Sequence, residues 1–395
     1  MTNVLLLGPA RTPIGAFSGS FSATSATELG TVAAKAALAR SGATPDQIDE
    51  VIFGNVLQAG QGQNPARQIS IHTGISETVS SFTVNKVCGS GMKAIGLAWQ
   101  ALALGQADCI LAGGTENMSQ APYLLPALRG GARLGNAQAI DSLVHDGLTD
   151  VFNQYHMGIT AENIAEQYGI SRAEQDAFAF ASQQKAAEAL SAGVFKDEIA
   201  PVTVMERRVE RIVDTDEYPK ADTTLDGLAK LRPAFKKDGT VTAGNASGIN
   251  DGAAAVLVAS EDRLPAGINT DGAVYLRDIQ SCGCSPATMG LGPIGAVQKL
   301  LKKNGLSVAD IGLWELNEAF AVQSLAVVKD LQIYAELVNV NGGAIALGHP
   351  IGCSGARIVV SLIHEMRRRK IRYGIAAMCI GGGQGIGCLV ENPDY

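Results

Sequence analysis

One stretch of the sequence surrounds a single histidine with glycines: Asn339-Val-Asn-Gly-Gly-Ala-Ile-Ala-Leu-Gly-His349-Pro-Ile-Gly-Cys-Ser-Gly-Ala-Arg357. Glycine at this density is typical of backbone that turns tightly or approaches another group closely. Val338 and Val340 predict a strand at its start, and the apolar run after Ser354 predicts a helix capped by that serine. His349 would then lie on a stiff loop between a strand and a helix, where α/β proteins commonly carry functional groups. Two interpretations stay open, an acid–base histidine and a structural histidine in a turn.

Two further stretches place a cysteine next to glycines at the end of an apolar segment. They are Asn85-Lys-Val-Cys88-Gly-Ser-Gly91 and Ala377-Met-Cys379-Ile-Gly-Gly-Gly-Gln-Gly385. A free thiol has a pKa of about 8.5, so a nucleophilic cysteine needs a nearby imidazole or helix N-terminus to ionise at neutral pH. Cys88 precedes a predicted helix, which makes it the candidate nucleophile, with His349 as its candidate base. Cys379 taken alone would be interpreted as a buried strand cysteine.

Four blocks resemble the signature blocks of the thiolases and occur in the order typical of that family. They are Cys88-Gly-Ser-Gly, Asn317-Glu-Ala-Phe320, Gly348-His349-Pro-Ile-Gly and Cys379-Ile-Gly-Gly-Gly. Tyr155-His-Met-Gly158 and Thr242-Ala-Gly-Asn-Ala-Ser247-Gly resemble the short-chain, biosynthetic branch. The resemblance implies an α/β fold of five layers, αβαβα, built from two duplicated halves with an inserted loop domain. It also implies an acyltransferase, acetyl-CoA C-acetyltransferase, which condenses two acetyl-CoA reversibly to acetoacetyl-CoA and CoA through an acetyl-cysteine.

The resemblance assigns a role to each of five residues. Cys88 would carry the acyl group, and His349 would activate it and donate to the thioester oxygen of the second substrate. Cys379 would remove the α-proton of that substrate and return a proton to the leaving thiol. Asn317 would hold a water that completes one oxyanion hole, and the backbone N–H groups of Cys88 and Gly381 would form the other. For Asn317 the residues also allow a purely structural role as a helix N-cap.

The resemblance further implies a channel for coenzyme A thioesters, which are substrates, so neither a cofactor nor a metal is expected. Its predicted lining is Leu148, His156, Met157, Lys220, Phe235, Ala243, Ser247, Met289 and Phe320. Met157 and Met289 would form the floor of a small acyl pocket that favours acetyl groups. Some relatives have an arginine in place of Lys220, and a lysine offers phosphate a point charge rather than a bidentate fork.

Composition limits the class of protein. The chain has 395 residues, 46% of them hydrophobic and 17% charged, which is typical of a globular enzyme with two or more domains. A net charge of −7 argues against nucleic acid as the main partner. The seven cysteines show neither a disulfide framework nor zinc spacing, which indicates a reducing compartment. The reducing compartment leads us to expect a cytoplasmic protein. No apolar run reaches the ~18 residues of a membrane span, so we expect no membrane partner.

The later part of the sequence repeats the earlier part. Trp314 to Asn317 corresponds to Ile52 to Asn55, and Ser354-Gly355 to Ser90-Gly91, at nearly constant offsets. We predict an N-terminal half of residues 1–118 plus 249–270 and a C-terminal half of residues 271–395. Residues 119–248 between them are predicted to be an inserted loop domain for CoA binding and oligomerisation. Such enzymes are generally homotetramers, and residues 121–141 are the predicted tetramer loop.

Two local predictions concern the first half. A helix from Pro65 to Gly74 would turn both Ile69 and Ile71 inward. A strand over Cys109 to Ala112 would close on Gly113 and Gly114.

Two other functions stay open. A degradative 3-ketoacyl-CoA thiolase of fatty-acid oxidation would share every catalytic residue and differ in the shape of the acyl pocket. A non-catalytic acyl-CoA-binding relative would have no need of Cys88, His349 and Cys379 together.

Overall fold

The computed structural model describes residues 3–395. Strands and helices alternate in the first part of the chain. They are β1 (Val4–Arg11), β2 (Gly15–Ala16), α1 (Ala26–Ser41), β3 (Glu50–Gly54), α2 (Pro65–Thr73), β4 (Ser80–Val84), α3 (Ser90–Ala103) and β5 (Cys109–Asn117). The next segment combines short strands with short and long helices, namely β6 (Tyr123–Leu124), α4 (Pro126–Arg129), β7 (Ile140–Asp141), β8 (Thr149–Asp150), β9 (Tyr155–His156), α5 (Met157–Tyr168), α6 (Arg172–Ser191), β10 (Val202–Glu206), β11 (Val209–Val213) and α7 (Leu225–Ala229).

Regular alternation then returns. The remaining elements are β12 (Asn250–Ser260), β13 (Val274–Gly283), α8 (Gly292–Asn304), β14 (Leu313–Leu316), α9 (Ala321–Leu331), α10 (Ala344–Leu347), α11 (Ile351–Arg369), β15 (Tyr373–Ile380) and β16 (Gln384–Glu391). Within the described range, no helix combines the length and hydropathy needed to cross a bilayer.

The main sheet has the strand order β14-β15-β16-β13-β1-β12-β5-β3-β4, with β2 paired to β12. Its two ends are built alike. From the centre outwards, β1-β12-β5-β3 corresponds to β13-β16-β15-β14, and β4 extends the first series by one strand. In both series the inner pairs are antiparallel and the outer pairs parallel. Within the sheet, the two parts are joined by β1 and β13, where Leu5 pairs with Tyr275 and Leu6 with Val274. This repetition is the structural counterpart of the duplicated sequence motifs.

Helices cover both faces of each half-sheet. Successive residues of β1 point to opposite faces of the sheet. Leu6 packs with α3 and α11 in the central core, while Leu5 and Leu7 pack with α1 in the outer core. In the other half, Met378 faces the central core and Ala377 faces the outer core, which α8 and α9 complete. The layers therefore run helix, sheet, helix, sheet, helix, and the predicted five-layer αβαβα fold is confirmed.

The two central helices touch backbone to backbone. A Cβ atom added to Gly91 of α3 would lie 2.8 Å from the backbone nitrogen of Ala356. A Cβ atom added to Gly355 of α11 would lie 2.5 Å from the backbone nitrogen of Met92. Only glycine allows such an approach, so this corresponding pair of glycines sets the distance between the helices.

A buried arginine connects strand β1 to the segment between β5 and β12. Arg11 is fully buried, and its guanidinium donates to both carboxylate oxygens of Asp216 at 2.6 and 2.8 Å and to Glu198 at 2.6 Å. Phe195 lies under the same group, 5.2 Å from its ring centroid to the guanidinium carbon. Because the charge is paired on two sides, the segment is held in place without leaving a buried ion unpaired.

The prediction of a strand at Val338 and Val340 is wrong. Val338 makes a single parallel bridge to Trp314, and Asn339 then turns with a φ of 44°. The Asn339 side chain accepts from the Leu316 N–H and donates to the Leu316 carbonyl, both at 2.8 Å. The side-chain amide of Asn339 thus makes the hydrogen bonds to Leu316 that the backbone of a continuing strand would make.

The predicted serine cap of the following helix is also wrong. Helix α11 begins at Ile351, because the N–H groups of Cys353 and Ser354 already donate to the Pro350 carbonyl at 2.9 Å. Ser354 therefore lies inside the first turn. His349 stands between two helices, α10 and α11, rather than between a strand and a helix.

Two details of the first half also differ from prediction. Ile69 is buried but Ile71 is 43% exposed, because residues two apart on a helix point in nearly opposite directions. Strand β5 does not close at Gly113 but pairs with β12 as far as Asn117. A Cβ atom at Gly113 would lie 2.3 Å from the Ala254 carbonyl oxygen, so this glycine serves close packing within the sheet.

The helix contact yields a stability prediction. Gly91→Ala should lower the free energy of unfolding by about 1–3 kcal/mol, since the new methyl group must push two helix backbones apart. Gly130→Ala is the control, because Gly130 is exposed, has a φ of −86° and has only the Ala127 carbonyl near its added Cβ, at 3.8 Å. Urea unfolding of both variants measures the difference. Equal stabilities would show that the helix contact can relax without cost.

Candidate active site

Cys88 lies in a strained turn between β4 and α3. Val87 before it has a φ of 47°, which is rare for a β-branched residue. The Asn85 side chain accepts from the Val87 N–H at 3.0 Å. The Ser90 hydroxyl accepts from the Lys86 N–H at 2.8 Å and donates to the Val87 carbonyl at 2.6 Å. Strain of this kind costs about 1–3 kcal/mol and clusters at functional sites.

The Cys88 thiol is protonated at rest. Burial raises its pKa to about 11, although the backbone N–H groups of Gly381 and of Cys88 itself, which lie near the sulfur, lower the pKa. These two N–H groups converge on one atom from different halves of the fold. The same pair was predicted to form an oxyanion hole.

His349 is 6% exposed and is held at its backbone and at its ring. Its N–H donates to Asn250 Oδ1 at 3.0 Å, and its Nδ1 lies 2.6 Å from Ser354 Oγ. Gly348 before it has a φ of 104° and packs so closely on Asn250 that an added Cβ would lie 2.5 Å from the amide carbon. Burial, with a smaller effect of Arg357, lowers the pKa of His349 to about 3. The imidazole is therefore neutral at physiological pH.

Cys379 ends strand β15 and is 1% exposed. It packs in one apolar cluster with Met157, Met289 and Phe320. Burial raises its pKa well above the ordinary value, and the nearby thiols of Cys88 and Cys284 add to that effect. The Cys88 thiol, from the other half of the fold, thus lies close enough to raise the pKa of Cys379.

Asn317 is the most unusual polar group near the site. Its side-chain oxygen and nitrogen are both buried, and neither has a hydrogen-bond partner within residues 3–395. The N-cap interpretation is wrong, because α9 begins only at Ala321 after Phe320. Asn55, at the corresponding position of the first half, instead donates to the Thr115 carbonyl at 3.0 Å and to Glu116 at 2.9 Å. Buried unpaired amides are rare and call for a water or a ligand.

A cavity of about 660 Å³ opens beside these groups. Three of the five predicted catalytic residues line it, namely Cys88, His349 and Gly381. Cys379 and Asn317 do not line it. Cys379 packs against lining residues such as Met157 and Met289, and Asn317 is buried two residues before Ala319, which lines the cavity. All nine residues predicted to bind coenzyme A line the same cavity. Their contact with coenzyme A itself stays a prediction.

Aromatic rings form one wall of the cavity. His156 stacks on Phe235 with ring centroids 4.5 Å apart, and Phe320 meets Phe235 edge-on at 6.2 Å. His156 Nδ1 accepts from the Gly158 N–H at 3.0 Å and so caps helix α5. Gly158 has to be glycine, because an added Cβ would lie 2.2 Å from the Phe235 ring. At another part of the lining, the Lys220 ammonium lies 5.5 Å from the Tyr218 ring centroid.

Sequence reasoning missed several lining residues. They are Ala16, Phe17, Met118, Gly147, Glu217, Tyr218, Pro219, Ala234, Ala246, Gly248, Ile249, Ala319 and Ile351. Ile351 and Ala319 lie inside quoted motifs and were available to that reasoning. Phe17 and Ile249 carry no local signal, because their place in the wall depends on strands far apart in sequence.

The site therefore combines two protonated thiols, a neutral imidazole and a pair of inward N–H groups beside a largely apolar cavity. Such a set suits transfer of an acyl group to sulfur, because the N–H pair can stabilise a tetrahedral oxyanion. Across residues 3–395, no group of three or more histidine, cysteine or acidic side chains is placed to hold a metal ion.

Known proteins resemble this chain along nearly its whole length. The family described as Thiolase, N-terminal domain matches residues 4–262, and Thiolase, C-terminal domain matches residues 271–392. A probable acetyl-CoA acyltransferase of Staphylococcus aureus (strain COL) is 55% identical over 392 residues, covering 99% of both chains. A probable acetyl-CoA acetyltransferase of Escherichia coli (strain K12) is 53% identical over 394 residues, covering 100% of both.

Two solved structures share the fold throughout. The Bacillus anthracis acetyl-CoA acetyltransferase superposes with a TM-score of 0.95 at 43% identity, covering 99% of both chains. Human mitochondrial 3-ketoacyl-CoA thiolase gives the same TM-score at 44% identity, again covering 99% of both. By sequence and by fold, the chain belongs to the thiolase family and is an acyltransferase.

Proposed function

We propose that this protein is an acetyl-CoA C-acetyltransferase, which condenses two acetyl-CoA reversibly to acetoacetyl-CoA and CoA. The observation that carries the proposal is the convergence of Cys88, His349 and the Gly381 N–H on one apolar cavity, with Cys379 beside them. The relatives named acetyl-CoA acetyltransferase support the choice of substrate.

In the first half-reaction, the Cys88 sulfur attacks the thioester carbonyl of acetyl-CoA. His349 accepts the Cys88 proton as the S–C bond forms, and the N–H groups of Cys88 and Gly381 stabilise the oxyanion. The bond to the CoA sulfur breaks, and Cys379 gives its proton to that sulfur. Because burial disfavours ions at this site, the proton moves only when the substrate is in place.

In the second half-reaction, the Cys379 thiolate removes the α-proton of another acetyl-CoA. Protonated His349 and a water held by Asn317 stabilise the resulting enolate oxygen. The carbanion attacks the acetyl group on Cys88, so a C–C bond forms and the C–S bond breaks. His349 returns its proton to Cys88, and both thiols and the imidazole regain their resting forms. The unpaired buried amide of Asn317 supports its role, because a water would satisfy it.

The proposal includes the binding and assembly roles expected from the sequence. Residues 119–248 would form the coenzyme A side of the cavity, with Lys220 towards the phosphates and no resident cofactor. Within this segment Leu134 is 99% exposed, and Tyr123, Leu125 and Leu128 are also exposed, which supports residues 121–141 as the contact of a cytoplasmic homotetramer.

Acetylation of Cys88 tests the proposal directly. Incubation with acetyl-CoA should add one acetyl mass to the peptide that contains Cys88, as read by mass spectrometry after proteolysis. Cys88→Ala should show no adduct and no turnover. Cys379→Ala should still form the adduct but should not condense, because the α-proton then has no base.

Each variant tests one assignment: Cys88→Ala tests the nucleophile, and Cys379→Ala tests the base. Absence of an adduct in the wild-type protein would contradict the proposal and favour a non-catalytic acyl-CoA-binding protein. Normal condensation by Cys379→Ala would refute the assignment of the base alone.

Asn317→Ala should lower the rate of condensation by about 10²–10³-fold, the usual cost of losing an oxyanion donor. Its matched control is Asn55→Ala, which removes bonds to Thr115 and Glu116 and should lower stability instead. Steady-state kinetics and thermal unfolding of both variants give the comparison. If Asn317→Ala changed the rate of condensation by less than about twofold, the role of Asn317 would be structural rather than catalytic.

A degradative 3-ketoacyl-CoA thiolase is the second candidate, supported by the equally similar human mitochondrial structure. Thiolysis rates over 3-ketoacyl-CoA of increasing chain length separate the two. We expect kcat/KM to be highest for acetoacetyl-CoA, because Met157 and Met289 border the cavity, and one methylene is worth about 1–3 kcal/mol in such a pocket. Equal or rising values for longer chains would favour the degradative function.

A further inference from the structure

The hydroxyl of Ser354 is bonded to the ring of His349 but has no part in the chemistry above. Ser354 is fully buried in the first turn of α11, and its Oγ lies 2.6 Å from His349 Nδ1. The other ring nitrogen, Nε2, has no hydrogen-bond partner within the described residues, and His349 lines the cavity. One ring nitrogen is thus held by the protein, and the other is free for chemistry.

A second contact of Ser354 identifies which group donates in its hydrogen bond with His349. Ser354 Oγ also lies 2.9 Å from the carbonyl oxygen of Pro350, four residues earlier in the chain. A carbonyl oxygen only accepts, and donation from a helical serine to the carbonyl at i−4 is a common local bond. The single hydroxyl hydrogen is then used on Pro350, so Oγ accepts from His349 Nδ1–H.

The corresponding serine of the other half behaves in the same way. Ser90, in the first turn of α3, accepts from the Lys86 N–H at 2.8 Å and donates to the Val87 carbonyl at 2.6 Å. Each central helix therefore uses a first-turn serine that donates to one group and accepts from another in the loop before it. Ser90 thus holds the loop that carries the Cys88 thiol, and Ser354 holds the imidazole of His349.

We propose that Ser354 is a positioning residue that keeps His349 in the Nδ1–H tautomer, so that Nε2 is free to accept the Cys88 proton. The proposal rests on the proposed function in one respect, the use of His349 as the base. Its structural part, the tautomer, concerns the resting protein and can be measured without any reaction. The neutral state of His349 is what makes the tautomer matter, because an imidazolium carries protons on both nitrogens.

Nitrogen NMR of the intact protein labelled with ¹⁵N-histidine measures the tautomer. The chain has five histidines, and the His349 signals are identified by their loss in His349→Asn. We expect a protonated Nδ1 and an unprotonated Nε2 in the wild-type protein. Ser354→Ala should give a mixture of both tautomers, and Ser354→Thr, which keeps the hydroxyl, should restore the single form.

Single-turnover acetylation of Cys88 measures the consequence. In metal sites, loss of a partner that fixes the tautomer of a histidine costs about 10–100-fold, and we expect Ser354→Ala to slow acetylation by that order with less than a twofold change in KM. Ser361→Ala is the matched control, since Ser361 is buried on the same helix and donates to Glu198 at 3.2 Å without touching His349. That variant should acetylate at the wild-type rate.

The outcomes separate the two proposals. An Nε2–H tautomer in the wild-type protein, or a single unchanged tautomer in Ser354→Ala, overturns the positioning role whatever the activity. A change of tautomer in Ser354→Ala with unchanged acetylation also overturns it, because the tautomer would then not govern the proton transfer. Failure of wild-type Cys88 to acetylate contradicts the proposed function and leaves the measured tautomer standing.

Discussion

The backbone contact between the two central helices is the constraint on which the site depends. Gly91 packs against Ala356 and Gly355 against Met92 with no room for a Cβ atom, and Gly114 of β5 lies equally close to the Gly352 carbonyl. The candidate nucleophile and base sit directly before these helices. Since glycine backbones rather than flexible side chains set the separation, the two loops are held at a fixed distance even though one belongs to each half of the fold.

Burial then determines the chemistry available to those loops. It raises the pKa of Cys88 to about 11 and lowers that of His349 to about 3, so the resting pair is neutral. A permanent thiolate–imidazolium pair would be costly in so apolar a wall. The inward N–H groups of Cys88 and Gly381 offer charge stabilisation at one point only, where an oxyanion would form. Acyl transfer is therefore favoured over other reactions of a free thiol.

The duplicated halves share a backbone plan and differ in what their side chains do. Asn55 uses its amide nitrogen to hold Thr115 and Glu116, whereas neither the nitrogen nor the oxygen of the Asn317 amide has a partner within residues 3–395. Ser90 bonds to backbone groups of its loop, whereas Ser354 bonds to an imidazole. In the N-terminal half, Asn55 and Ser90 thus show the structural role of these two positions. The departure from that role in the other half distinguishes the candidate functional residues, Asn317 and Ser354.

The sequence by itself pointed to the five-layer fold class and to the candidate residues Cys88, His349 and Cys379 through the resemblance of its four motif blocks to the thiolases, because each block is a short, continuous stretch of the chain. It did not predict that Val338 fails to continue a strand, that α11 begins before Ser354, or that Asn317 caps no helix. The first depends on a partner distant in sequence, Leu316 for Asn339. The other two depend on where the backbone of each helix begins, at Ile351 and at Ala321. The strain at Val87, the neutral charge states and lining residues such as Phe17 were likewise decided only by the tertiary structure, because burial and close approach arise when separate strands and helices pack together.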